Sequence, residues 1–355
     1  MVFFWPNMMA YKPQELFVQY GAFIFFGISL FVPAKRQVSN YLMALLFAYC
    51  LFQTLLNNFD PTSRMTLVNI FLGLVTVKII AERVTLDFKQ LGWLFIFFAI
   101  VNLIWVSLQY FDKDPIFTNM FYDKMKHVDI VGFMGARFAL GCVSALISPF
   151  IFAVSPWFCV LLLPLLYFAK ASTAMIAFAA SFMFQMWFKS RKLFVLLGLG
   201  LMAVSFIFVK FYDSPGGQFM KRIHVWSAGI RVLKMKPWFG HGLGKWESTG
   251  FVTIQENGEP EKWVWAHNDF LQFTFETGFL GLIFLYAYLK NFFRKVVFCD
   301  TRSQVVFAAF ISLVIISFFH FPFHIGRLAG ISLFILAIME ATTSRVCDEK
   351  NCMAV

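Results

Sequence analysis

Apolar positions in this chain do not alternate with polar ones; for most of its length they simply run on. Stretches of about 16 to 20 apolar residues, enough for a helix to cross roughly 30 Å of hydrocarbon, recur at 16–32, 39–56, 65–80, 91–110, 131–148, 150–168, 171–188, 193–210, 270–289, 303–320 and 322–340. No two-residue alternation suggests a barrel. The pattern therefore predicts an all-α, polytopic membrane helical bundle of about 11 transmembrane helices. The pair between 131 and 168 is interrupted by Pro149, Pro156 and Pro164, with no charge in the connection, so a hairpin and a broken helix fit equally well.

Composition agrees, since 60% apolar against 14% charged residues lies far from a soluble domain. We expect a single integral membrane domain over 1–355, with the first run a retained span and not a signal peptide. One long polar insertion, 211–269, breaks the series. Its side of the membrane follows from the basic residues. Loops opposite to it carry Lys35, Arg36, Arg83, Lys89, Lys189, Arg191, Lys192, Lys290, Arg294, Lys295 and Arg302, with Arg345 and Lys350 on the tail. Its own side carries only Lys12, Arg64, Lys113, Lys124 and Lys126 in short loops and the N-terminus. The insertion is thus expected outside and the C-terminus in the cytoplasm; in a bacterium this means the inner membrane, with the loop periplasmic. The net charge of +11 then reflects topology, and no nucleic-acid partner is expected. No cysteine spacing suggests a metal site or structural disulfides, and no cofactor is expected.

The insertion holds the candidate chemistry. In QFMKRIHVWSAGIRVLKMKPWFGHGLGKW, 218–246, Phe219, Ile223, Trp226, Ile230 and Leu233 recur at helical spacing, while Lys221, His224, Arg231 and Lys234 follow another face. This reads as an amphipathic helix near the membrane surface, ended by Pro237, with its cations either attracting anionic headgroups or facing a site. GHGLG, 240–244, lacks the spacing and the preceding strand of a dinucleotide fingerprint, and reads as a tight turn or a close backbone approach. WAHNDFLQFTFETGFLGL, 265–282, then opens a span with His267, Asn268 and Asp269. Asp269, Gln272 and Glu276 share one face there, where Glu276 either pairs with Arg222 or Arg137, binds sugar hydroxyls, or bonds another helix. Gly278 and Gly281 would let a neighbouring helix approach closely. Arg137, about one and a half turns into its span, Lys170 and Arg327 all fall in the external half, which favours an anion site over snorkelling. Trp246, Trp263 and Trp265 would anchor at the interface or stack on sugars. His320 and His324, separated by Pro322, suggest no metal.

Arg222, then IHVWSAGIRVLKMKPWFGHGLGKW, then AHNDFLQFTFETGFLGL, resembles the signature region of the O-antigen ligase family, most strongly over 222–285. The family includes lipopolysaccharide O-antigen ligases, O-antigen or exopolysaccharide polymerases and protein oligosaccharyltransferases. The resemblance implies a helical membrane glycosyltransferase similar in arrangement to the GT-C class. It moves a glycan from an undecaprenyl-diphosphate-linked donor to an acceptor hydroxyl on the external face of the inner membrane. The acceptor is another glycan, a lipid A core or a protein. By matching motif, the histidine associated with activity is His267 and the loop arginine is Arg222. The family's Ser-Arg pair at an earlier span is KASTA here, 170–174, with Lys170 in the arginine's place. Arg137, Lys170, Arg231, Asn268, Asp269 and Glu276 are the further candidates for binding substrate.

The chemistry points the same way. A lipid diphosphate is already a good leaving group, so the protein chiefly needs cations where negative charge accumulates, and arginine's planar fork holds two phosphate oxygens at once. A histidine could take the acceptor's proton or merely orient its hydroxyl. The rival class is a transporter of a lipid-linked glycan or small anion, for which an internal repeat would be expected and none is visible. A polymerase is preferred slightly over a ligase, because no large appended domain is recognisable.

Overall fold

The computed structural model describes residues 41–56, 61–84, 87–111, 113, 130–192, 194–195, 218–254, 260–293 and 300–348. The runs expected at 16–32 and, save two residues, 193–210 lie outside them, as do residues 211–217. The described residues form helices α1 (Tyr41–Leu56), α2 (Pro61–Arg83), α3 (Phe88–Tyr110), α4 (Arg137–Val154), α5 (Leu162–Ala169), α6 (Ser172–Lys189), α7 (Gln218–Leu233), α8 (Lys245–Thr249), α9 (Asp269–Phe293), α10 (Thr301–Phe319) and α11 (Gly326–Asp348). A two-stranded antiparallel hairpin, β1 (Val252–Ile254) and β2 (Pro260–Lys262), joins α8 to α9. The protein is an all-α membrane bundle. Among the described residues five helices are long and apolar enough to span: α2, α3, α4, α9 and α10. Three further apolar segments, Tyr41–Leu56, Pro156–Ala169 and Leu328–Thr342, are shorter.

α4 is the hub of the bundle, buried on nearly every side and packed against α3, α5, α6, α10 and α11. Apolar surface gains little between helices in lipid, so small residues that bring backbones close carry the packing. A Cβ on Gly141 would lie 3.0–3.1 Å from Ala169, Ala171 and Ala174, and Ser148 and Ser181 meet at 3.3 Å. Pro149 cannot donate to Ala145 O, but Ser148 Oγ does so instead at 2.8 Å, and α4 continues to Val154. The chain turns at an extended Ser155, follows a 3-10 segment over Pro156–Leu161 and returns through α5. The proline-rich stretch is therefore a hairpin whose second limb is short.

Two buried side chains of α3 set how α4 begins. Gln109 Oε1 accepts from Val131 N (3.0 Å) and Gly132 N (2.8 Å), and Asn102 Oδ1 accepts from Phe133 N (3.2 Å). They hold a 3-10 turn over Gly132–Met134, so that α4 starts at Arg137. Arg137 is accordingly the first residue of its helix, and not one and a half turns inside a span.

α9 is kinked where it meets the glycine-rich loop. Gly278 has φ 70° and ψ −175°, which breaks the helix. Loop 237–242 lies in the break and supplies the missing partners. Phe279 N donates to Pro237 O (2.9 Å), Leu280 N to Trp238 O (3.2 Å), His241 N to Phe275 O (2.9 Å) and Gly242 N to Glu276 O (2.8 Å). The approach is backbone on backbone: a Cβ on Gly240 would sit 2.5 Å from Gly278 N. What Gly278 admits is thus a loop rather than a neighbouring helix. The GHGLG turn is a clamp on the kink, with Gly240, Gly242 and Gly244 all at positive φ.

Candidate active site

Most of the pieces meet at one end of the bundle, where α9 begins, α4 begins and α10 ends. α7 faces them through only part of the stripe its sequence suggests, with Trp226 and Leu233 turned inward. Ile223 and Ile230 are exposed, whereas Val225, Gly229 and Leu233 are buried, and Gly229 packs against the Trp246 ring. Arg222, half-buried, lies on this inner side and donates from Nη1 to Phe319 O at 2.8 Å, at the carboxyl end of α10 where a cation is favoured. One turn on, Trp226 Nε1 donates to Ala266 O at 2.7 Å. Lys221 pairs with Glu261 of β2 at 3.3 Å. α7 therefore holds both the end of α10 and the segment before α9.

The residues His267, Asn268 and Asp269 have three different tasks. Asn268 caps α9, its Oδ1 accepting from Leu271 N at 2.9 Å. Asp269 Oδ1 pairs with His324 Nδ1 at 2.9 Å, and its other oxygen accepts from Phe323 N. His267 is left to face the site, in a left-handed conformation (φ 52°) that costs a non-glycine residue of order 1 kcal/mol. Its ring lies edge-on to Phe321 (4.5 Å between centroids) and Trp263 (5.1 Å), and 6.2 Å from the ring of His320. His320, which the sequence alone does not mark as a site residue, is buried and stacks on Phe138 of α4 at 5.4 Å.

Electrostatics set this group apart. His267 Nδ1, His320 Nδ1 and Arg222 Nε are all buried, with no hydrogen-bond partner among the described residues. Burial first, then the charge of Arg222, then His320 push the His267 imidazole down to about 3. Burial and Arg222 likewise push His320 down to about 3. Both rings are therefore neutral at physiological pH, beside a fixed cation.

These shifts also bear on stability. Each imidazole protonates in the unfolded chain near pH 6.5 but resists protonation in the folded one until about 3. The stability they contribute is present above that upper value and lost as pH falls through the window. Thermal unfolding in detergent should accordingly show a lower Tm at about pH 5 than at about pH 7.5, and a His320→Phe variant should show a shallower drop.

The other candidates lie elsewhere. Glu276, buried, pairs with neither Arg222 nor Arg137. Its carboxylate accepts from Gly244 N (2.8 Å), Gln272 Nε2 (3.1 Å) and Trp246 N, which ties the glycine turn to α9. Gln272 in turn bonds Ala266 N (3.0 Å) and His324 Nε2 (3.1 Å). The polar face of α9 is thus a hydrogen-bonded network that includes His324. Arg231 is exposed. Nine residues from Arg222, it lies about 14 Å along the helix and on the opposite face, so it does not join the site. Lys170 ends α5 at φ 47° with its side chain exposed, and does not open α6. Arg137, half-buried, precedes Phe138, the ring on which His320 stacks. The side chain of Arg327 lies outside the described residues. Trp246 and Trp263 are buried in a core with Val225, Phe251 and Phe275 rather than at an interface, and Trp265 stacks on Phe321 at 4.6 Å.

Fold and site together define a helical membrane protein in which Arg222 and two neutral imidazoles pack at the heads of the helices. Residues 157–286 match the family model described as O-antigen ligase, a stretch that contains Arg222, His267 and the α9 kink. The resemblance drawn from the signature region is borne out over this stretch, and the match supports an O-antigen ligase or polymerase type of membrane enzyme. Arg137, Phe138 and His320 lie outside the matched residues. None of the curated proteins matches the chain.

Proposed function

We propose that this protein transfers a glycan from an undecaprenyl-diphosphate-linked donor to an acceptor hydroxyl, at the external face of a bacterial inner membrane. The observation that carries this reading is the convergence of Arg222 and His267, each with a buried nitrogen lacking a partner among the described residues, within the matched family region. Arg222 binds the diphosphate and stabilises the charge that develops as the sugar C1–oxygen bond breaks. The bond electrons leave with the lipid diphosphate. The acceptor oxygen bonds to C1, and its proton passes to an unprotonated nitrogen of His267 and then to water. A diphosphate seated on Arg222 offsets the positive charge that disfavours His267 protonation, so donor binding makes the imidazole a better base.

The acceptor we favour is a second lipid-linked glycan, which makes the enzyme a polymerase. Outside the bundle the described residues form only α7, α8 and a short hairpin, a small surface for a folded protein acceptor. The test is transfer by purified protein in proteoliposomes, with the lipid-diphosphate glycan that accumulates in cells lacking the protein as donor. Chain lengthening with donor alone supports the polymerase. Transfer only when lipid A core or a protein is added moves the assignment to a ligase. Glycan that crosses the bilayer unmodified would sink the enzyme and favour transport.

A further inference from the structure

We propose that His320 is a second acceptor-binding residue, which hydrogen-bonds through Nδ1 a hydroxyl of the incoming sugar neighbouring the one presented to His267. The inference rests on the glycan-transfer reading above and extends it to a residue outside the matched family region.

Four observations support it. His320 is the residue after Phe319, whose carbonyl holds Arg222, so the arginine's anchor and the second imidazole are adjacent in the chain. Its ring is fixed in place by stacking on Phe138, with an angle of 15° between planes, and its backbone N–H donates to Ile316 O at 2.7 Å. It is 7% exposed, and its Nδ1 is buried with no partner among the described residues. Leaving a buried polar atom unsatisfied is costly, and a bound ligand would remove that cost.

The arrangement also says what kind of ligand this is. Arg222 is the fixed charge of the group and suits phosphate oxygens, whereas a neutral imidazole offers one donor and one acceptor and suits a hydroxyl. The rings of His267 and His320 are 6.2 Å apart. With hydrogen bonds of about 2.7–3.0 Å at each, that separation fits two neighbouring hydroxyls on one sugar ring. His320 is a positioning residue in this scheme: it orients the acceptor and takes no proton.

The experiment compares wild type, His320→Phe and His320→Asn in the proteoliposome transfer assay, measuring KM for the acceptor, kcat and binding of undecaprenyl diphosphate. Phenylalanine keeps the stack on Phe138 and removes the nitrogens; asparagine keeps an amide near the place of Nδ1 and loses the stack. The phenylalanine variant is expected to raise the acceptor KM about tenfold or more, with undecaprenyl diphosphate binding unchanged. The asparagine variant is expected to recover most of that loss. Wild-type acceptor KM in His320→Phe would overturn the proposal while leaving the transfer reading intact. So would the reverse pattern, with phenylalanine tolerated and asparagine damaging, since only packing would then matter. Should His320→Phe fail to fold, a raised acceptor KM in a folded His320→Asn refutes the proposal and a near-normal one supports it. Absence of transfer by the wild type itself would refute both readings together.

Discussion

Replacing Gly278 with alanine is expected to remove most of the folded protein from the membrane. Gly278 combines φ 70° with ψ −175°, a region open almost only to glycine, and occupying it with a side chain costs about 1–3 kcal/mol. The added methyl would also drive into the carbonyl of Trp238 and to within 2.6 Å of Gly240 N. Both neighbours are backbone, held by the bonds from Phe279 N and Leu280 N, so neither can swing aside as a side chain would. The loop must leave the kink, and with it goes the clamp that seats Glu276 on Gly244. Gly330→Ala is the control, because nothing lies within 4 Å of its added methyl and its φ is not positive. Fluorescence-detected size exclusion of the two variants, followed by thermal melts, should show Gly278→Ala aggregated or sharply destabilised and Gly330→Ala close to wild type.

Arg222→Gln carries the second large effect, on turnover rather than on folding. With Arg222 seated on the diphosphate as proposed, removing this cation is expected to lower kcat by roughly 10²- to 10³-fold. Arg222→Lys is not expected to restore it, since an ammonium lacks the planar fork that holds two phosphate oxygens while Nη1 stays on Phe319 O. Stability should fall much less, because the glutamine variant gives up a single hydrogen bond to the Phe319 carbonyl. Initial rates of glycan transfer beside melting curves separate the two effects.

Helix positions were legible in the sequence because a bilayer imposes one length and one chemistry on every span. The run at 91–110 became Phe88–Tyr110 and that at 303–320 became Thr301–Phe319. The glycines of the loop were legible too, as a turn or a close approach, and GHGLG is both. What the sequence hid was pairing across the chain. Nothing local in ETGFLG says that a loop some 40 residues earlier fills its kink. Glu276 reads as a carboxylate in search of an arginine, yet its partners are backbone amides and Gln272, and amides have no signature in side-chain composition. α7 misled for a related reason: Ile223 and Ile230 of its apolar stripe do not pack inward, and Gly229, which admits Trp246, carries no hydrophobic signal.

His320 is hard to see in the sequence because Pro322 breaks the helix between it and His324, which argues against a metal pair but says nothing of each histidine alone. The break is what separates their roles. His324 turns to Asp269 of α9, while His320 stays on the end of α10 against Phe138. A histidine at the head of a span, two residues before a proline and on the same side as the His-Asn pair, was the available signal.

In the proposed reaction His267 performs chemistry on the acceptor and is not only part of the packing. The most direct test of that role is single-turnover transfer by His267→Asn with saturating donor, since asparagine tolerates the left-handed conformation that this position holds. A loss of roughly 10²- to 10⁴-fold in the transfer step is expected, with undecaprenyl diphosphate binding and melting temperature near wild type. Transfer at the wild-type rate by a folded His267→Asn protein would contradict that role.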